Sequence, residues 1–135
     1  MFKLMFLIGS LNAPMNAVNT DKVDQPNIAD EIKTDLIEEV DYFEFIEDRM
    51  VEVMEDSLVD DNGGTLKCVQ SQAGLVDALG EAVDFESASV EKALASQRYD
   101  LAEFHLLQLT EVVDKAQGSL SEAEECVATL YANAN

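Results

Sequence analysis

The 135-residue chain has no tryptophan, one histidine, two cysteines, two prolines, and eight basic side chains against 28 acidic ones. Each shortage removes a class of explanation. Both prolines, Pro14 and Pro26, precede residue 27, so everything beyond is free of the residue that most strongly breaks helices. One histidine, His105, and two distant cysteines, Cys68 and Cys126, match no zinc-ligand spacing. A di-metal carboxylate bundle requires Glu-x-x-His elements, and the position three before His105 is Ala102. Nucleophilic catalysis needs a base beside Ser or Cys and a third orienting group; no such set can be read here. The carboxylates are spread along the chain with no spacing that singles out an acid–base pair. A protein without catalytic residues, cofactor or metal is expected.

The scarcity of basic side chains leaves a formal net charge of −20. That field repels nucleic acid and anionic membrane surfaces, and attracts partners with a basic or polar face. Long apolar runs are missing too. The stretch Leu4 to Leu11, within MFKLMFLIGSLNAPMNA, is far shorter than the roughly 20 residues of a spanning helix. Lys3 before it and Ala13 and Ala17 after it give the layout of a secretory signal peptide over 1–17. Large residues at Leu11 and Met15, where small ones are preferred, keep an N-terminal helix packed on the domain as the alternative. Residues 18–26 read as a flexible lead-in, 27–130 as a helical domain and 131–135 as a tail.

What is present is helical periodicity. From an Asn27 cap, Ile28, Ile32, Leu36, Val40, Phe43, Ile46, Met50 and Val53 recur at steps of three and four, predicting a first helix to about Leu58. Tyr42, Phe45 and Met54 widen its apolar surface beyond one seam. Asp60-Asp61-Asn62-Gly63-Gly64 is a helix stop; the position five before either glycine, Leu58 or Val59, rules out an EF-hand loop. A second helix capped by Thr65 carries Leu66, Val69, Ala73, Val76, Gly80, Val83, Ser87, Val90 and Leu94 on one seam. Gly74 and Gly80 cost roughly 1 kcal/mol each relative to Ala, which close helix packing would justify.

Residues 95–100 hold neither Gly nor Pro, so one uninterrupted helix over 65–117 competes with a turn. Asp100 with Glu103 resembles a capping box, and Tyr99 with Phe104 a hydrophobic staple, which favours the turn. A third helix then carries Ala102, Leu106, Leu109, Val113, Ala116, Leu120, Ala123, Val127 and Leu130, and its stripe keeps phase across Gly118-Ser119. Cys68 lies 29 residues before Gln97 and Cys126 lies 29 after it. Equal antiparallel arms bring both sulfurs to the open end of the hairpin 65–130. The alternative is two buried reduced thiols; an exported chain with an even cysteine count favours a disulfide contributing about 3–4 kcal/mol.

The segments Leu75-Val-Asp-Ala-Leu-Gly-Glu-Ala-Val83, Ala93-Leu-Ala-Ser-Gln-Arg-Tyr-Asp-Leu-Ala102 and Glu125-Cys126 resemble the plant invertase and pectin methylesterase inhibitor family. The resemblance spans about 28–127 and implies a helical bundle whose disulfide joins Cys68 to Cys126. The family's N-terminal cysteine pair, its fourth bundle helix and its Pro-Lys-Phe element have no counterpart here. A methylesterase is therefore favoured over an invertase as the implied target, and no inhibitor contact residue carries over. The expectation is an all-α antiparallel bundle of about three long helices, secreted and acting by binding a protein partner. A self-associating helical protein, a homo-oligomer, is the competitor; carriage of an apolar ligand against Tyr42, Phe45 and Met54 is a third class.

Overall fold

The chain folds as an all-α bundle of three helices: α1 spans Asn19–Ser57, α2 Gly64–Ala95 and α3 Tyr99–Ala134. The computed structural model describes residues 19–59 and 63–134. The signal peptide expected at 1–17, and residues 60–62 of the helix stop, lie outside the described residues. The described residues divide into two compact units, 19–40 with 84–110, and 41–59 and 63–83 with 111–134. Every helix contributes a segment to each unit.

In the first unit Ile28, Ile32 and Leu36 of α1 are buried, with Val90 and Ala93 of α2 and Ala102, Leu106 and Leu109 of α3. In the second, α1 buries Phe43, Ile46, Met50 and Val53, α2 buries Val69, Val76 and Val83, and α3 buries Val113, Ala116, Leu120, Ala123 and Val127. The α3 seam read from the sequence is thus buried at every position from Ala102 to Val127. On α2 the valines are buried, while Leu66, Ala73, Gly80, Ser87 and Leu94 between them are half-buried.

The α1 seam departs from the pattern. Val40 is only half-buried, whereas Asp35 and Glu39 are buried, at 1% and 3% exposure. Helix geometry accounts for this. A step of four overshoots a full turn by about 40°, so the run 28, 32, 36, 40 walks about 120° around the helix. Alternating three and four from Ile32 instead lands on Asp35 and Glu39. Two carboxylates consequently sit where apolar side chains were expected, at a desolvation cost.

The helix ends also differ from expectation. α1 begins at Asn19, so residues 19–26, read as a flexible lead-in, are helical; proline's fixed φ is itself a helical value, and Pro26 removes one hydrogen-bond donor. α3 continues to Ala134 through residues expected as a tail, which contain no Gly or Pro. The carbonyl of Gly63, at φ 80°, accepts the Lys67 N–H at 3.0 Å, so Gly63 rather than Thr65 caps α2. α3 passes unbroken through Gly118-Ser119. Close packing does not explain Gly74: a Cβ there would meet open space, while one on Gly80 would make ordinary contact with the Phe43 ring at 3.9 Å.

The turn expected between α2 and α3 exists, and its mechanism is a Schellman motif. The Arg98 N–H donates to the Ala93 carbonyl at 2.8 Å and the Gln97 N–H to the Leu94 carbonyl at 3.0 Å. Gln97 takes the left-handed conformation, φ 58°, that such a cap requires and that glycine usually supplies. The Arg98 carbonyl then accepts the Ala102 N–H at 2.9 Å, so Arg98 caps α3 and the Asp100–Glu103 capping box is not the start signal. The resulting hairpin brings Cys68 and Cys126 together in a disulfide, with Cα atoms 6.2 Å apart across 58 residues.

Candidate functional site

Because α2 and α3 reverse at Gln97, the last turns of α2 lie beside the first turns of α3, and this places Glu86 against His105. The imidazole Nδ1 is 2.7 Å from a Glu86 carboxylate oxygen. A carboxylate only accepts, so in this bond Nδ1 carries the proton. Two phenylalanines bracket the ring edge-on: the Phe85 centroid lies 6.3 Å from His105 and that of Phe104 5.1 Å away. Glu86 and His105 are largely covered, but Phe85 is 63% exposed and Phe104 53%. Leu101, one turn before His105 on α3, is exposed as well. The result is a polar pair set in an aromatic surface patch.

His105, without a recognisable partner in the sequence, is paired with Glu86 by the fold. The spacing predicts a staple of Phe104 with Tyr99, whereas the ring contact that Phe104 makes is with His105. Phe85, between Asp84 and Glu86, lies off the α2 seam. An aromatic between two acids on the outer face of α2 is the signal in the sequence that points to the patch.

The first unit also holds the strongest electrostatic perturbation. Glu103 is 6% exposed, and one of its carboxylate oxygens is buried with no hydrogen-bond partner. Burial, and then the negative charge of Asp100, push its pKa up to about 7. Asp100 moves the other way: the Leu101 backbone N–H and then the Arg98 guanidinium hold its carboxyl below the usual range. A cavity of about 600 Å³ is lined by Lys33, Leu36 and Ile37 of α1, Glu91 and Leu94 of α2, and Tyr99. It holds one basic and one acidic side chain on an apolar wall.

In the second unit, Tyr42 and Phe45 stack at 6.1 Å between centroids, and the Tyr42 hydroxyl donates to the Gln117 side-chain oxygen of α3. Both rings are partly exposed, as the widened α1 face implied. Arg49 donates to Glu52 at 2.8 Å and to Glu124 of α3 at 3.1 Å. Between α1 and α2 of the same unit runs a groove of about 440 Å³. Buried Met50 and Val76 form its floor, Met54 and Ala73 its half-buried walls, and exposed Val51, Glu55 and Asp77 its edge.

The predicted disulfide residues, Cys68 and Cys126, are joined to each other, and no free cysteine remains. Among the described residues no group of three or more His, Cys, Asp or Glu could hold a metal ion. No helix among them is long and apolar enough to cross a membrane. No protein-family model, curated protein or solved structure matches this chain. The likeness to the invertase and pectin methylesterase inhibitors therefore rests on its quoted segments alone.

Proposed function

We propose that this protein acts by binding another protein through the outer faces of its helices, and not as an enzyme. The observation that carries this reading is the patch of Phe85, Phe104 and Leu101 around His105. Phe85, Phe104 and Leu101 are all exposed, and neighbouring exposed aromatic and aliphatic side chains of this kind are the usual anchors of a protein interface. The His105–Glu86 bond restrains the ring between the two phenylalanines, so less freedom is lost when a partner covers them.

The specific form of the proposal is inhibition of a pectin methylesterase or related cell-wall enzyme by a secreted chain. It is supported by the segment resemblance, by the signal-like order of residues 1–17, and by a disulfide suited to an oxidising compartment. The test is titration of a pectin methylesterase with the exported protein, its mass read before and after reduction. Loss of esterase activity at fixed stoichiometry, abolished in Phe85→Ser/Phe104→Ser but retained in Tyr42→Ser, is the expected result. A mature chain that neither inhibits nor binds the esterase overturns the inhibitor form. A mass that rises with concentration, and ceases to rise in the double variant, would instead assign the patch to self-association.

A further inference from the structure

The aromatic patch belongs to the first unit; the α1–α2 groove of the second unit is a separate feature with a different chemistry. Its floor is apolar and it is edged by carboxylates. Val51 is 58% exposed, Met54 and Ala73 are half-buried, and Glu55 and Asp77 stand exposed on opposite helices. Among the described residues no basic side chain lines it. The stretches 41–83 and 111–135 carry 16 acidic against three basic residues. Of those three, Arg49 is already held by Glu52 and Glu124.

We infer that this groove receives a basic amphipathic segment of a partner protein, an apolar side chain entering over Met54 and Val76 while flanking Lys or Arg residues meet Glu55 and Asp77. Three observations converge on that occupant. The volume suits the anchor residues of a helix lying in a groove between two helices. Methionine is unbranched and polarizable, so it re-packs around differing apolar side chains. The one-signed edge, in a unit with so few bases, attracts cations and rejects an acidic segment; that excludes a second copy of this chain's own acidic helices.

The test uses the full chain and fluorescence anisotropy with a labelled Leu/Lys amphipathic peptide. Controls are a Leu/Glu peptide of the same apolar pattern and a Ser/Lys peptide of the same charge. Saturable binding of the Leu/Lys peptide alone is expected, weakened at least about tenfold by Glu55→Lys/Asp77→Lys and unaffected by Phe85→Ser/Phe104→Ser. Methyl resonances of Met50 and Met54 should shift on binding while those of the first unit do not. Equal binding of the Ser/Lys peptide would reduce the groove to a diffuse charge effect and overturn the proposal. So would unchanged affinity in the charge-reversed variant, or no binding at all. These outcomes are independent of the esterase titration, because neither the probe nor the variant involves the aromatic patch.

Discussion

At the scale of single residues, Glu103 is the most informative side chain. Its carboxyl is almost wholly covered and lies near Asp100, which favours the protonated form in the folded protein. Between the usual carboxylate pKa and about 7, the folded state therefore binds more protons at this site than the unfolded chain does. Stability contributed by this group is full below about pH 4.5, falls as pH rises, and is lost above about pH 7, a penalty of at most about 3 kcal/mol. Glu103→Gln removes the ionisation. The variant should unfold at higher urea than wild type at pH 8, with the difference narrowing or reversing at pH 4.5. Comparing the two proteins separates this site from the general self-repulsion of an acidic chain, which has the same sign and is common to both. An unchanged pH slope in the variant would show that Glu103 is ionised without penalty.

At the scale of elements, the α2–α3 turn is built against local preference. Its hydrogen bonds form a standard helix stop, but the left-handed position is filled by Gln97, whose Cβ makes that conformation unfavourable by roughly 1–2 kcal/mol. Gln97→Gly should relieve the strain. Part of the gain is returned to the more flexible unfolded chain, leaving a net stabilisation of about 0.5–1 kcal/mol measurable by thermal or urea denaturation. A loss of stability would mean that the Gln97 side chain makes a contribution the backbone geometry does not reveal. The same scale explains α1, whose seam passes through Asp35 and Glu39. A helix buries whatever its period brings round to the core, and in α1 the period brings two acids.

At the scale of the whole molecule, the Cys68–Cys126 disulfide closes a 58-residue separation across the open end of the α2–α3 hairpin. A cross-link of that span restricts the unfolded chain chiefly through loop closure, worth about 3–4 kcal/mol. Cys68→Ser/Cys126→Ser should lose that amount in denaturant unfolding, with amide exchange quickening in the second unit, which holds the bond. Wild type under reducing conditions should behave like the variant. Equal stability with and without the bond would show that helix packing alone sets the unfolding free energy. Net charge works against this stability: 28 acids against eight bases repel one another most strongly in the compact chain.

The sequence by itself determined the helices, the turn and the disulfide, because each depends on local or simply periodic information. Apolar spacing sets a helix's buried face, and equal arms about Gln97 set which cysteines meet; the extent of α1, which runs through Pro26 to Asn19, was not set this way. The α3 seam, read at every position from Ala102 to Val127, is the clearest case. Only the tertiary structure decided the cap residues Gly63 and Arg98, the burial of Asp35, Glu39 and Glu103, and the pairing of His105 with Glu86 between two exposed phenylalanines. Those features depend on the rotation of each helix about its axis and on which turns of neighbouring helices lie level. A stripe of apolar residues defines that rotation to within about one side chain, and one side chain is the difference between Leu36 and Asp35.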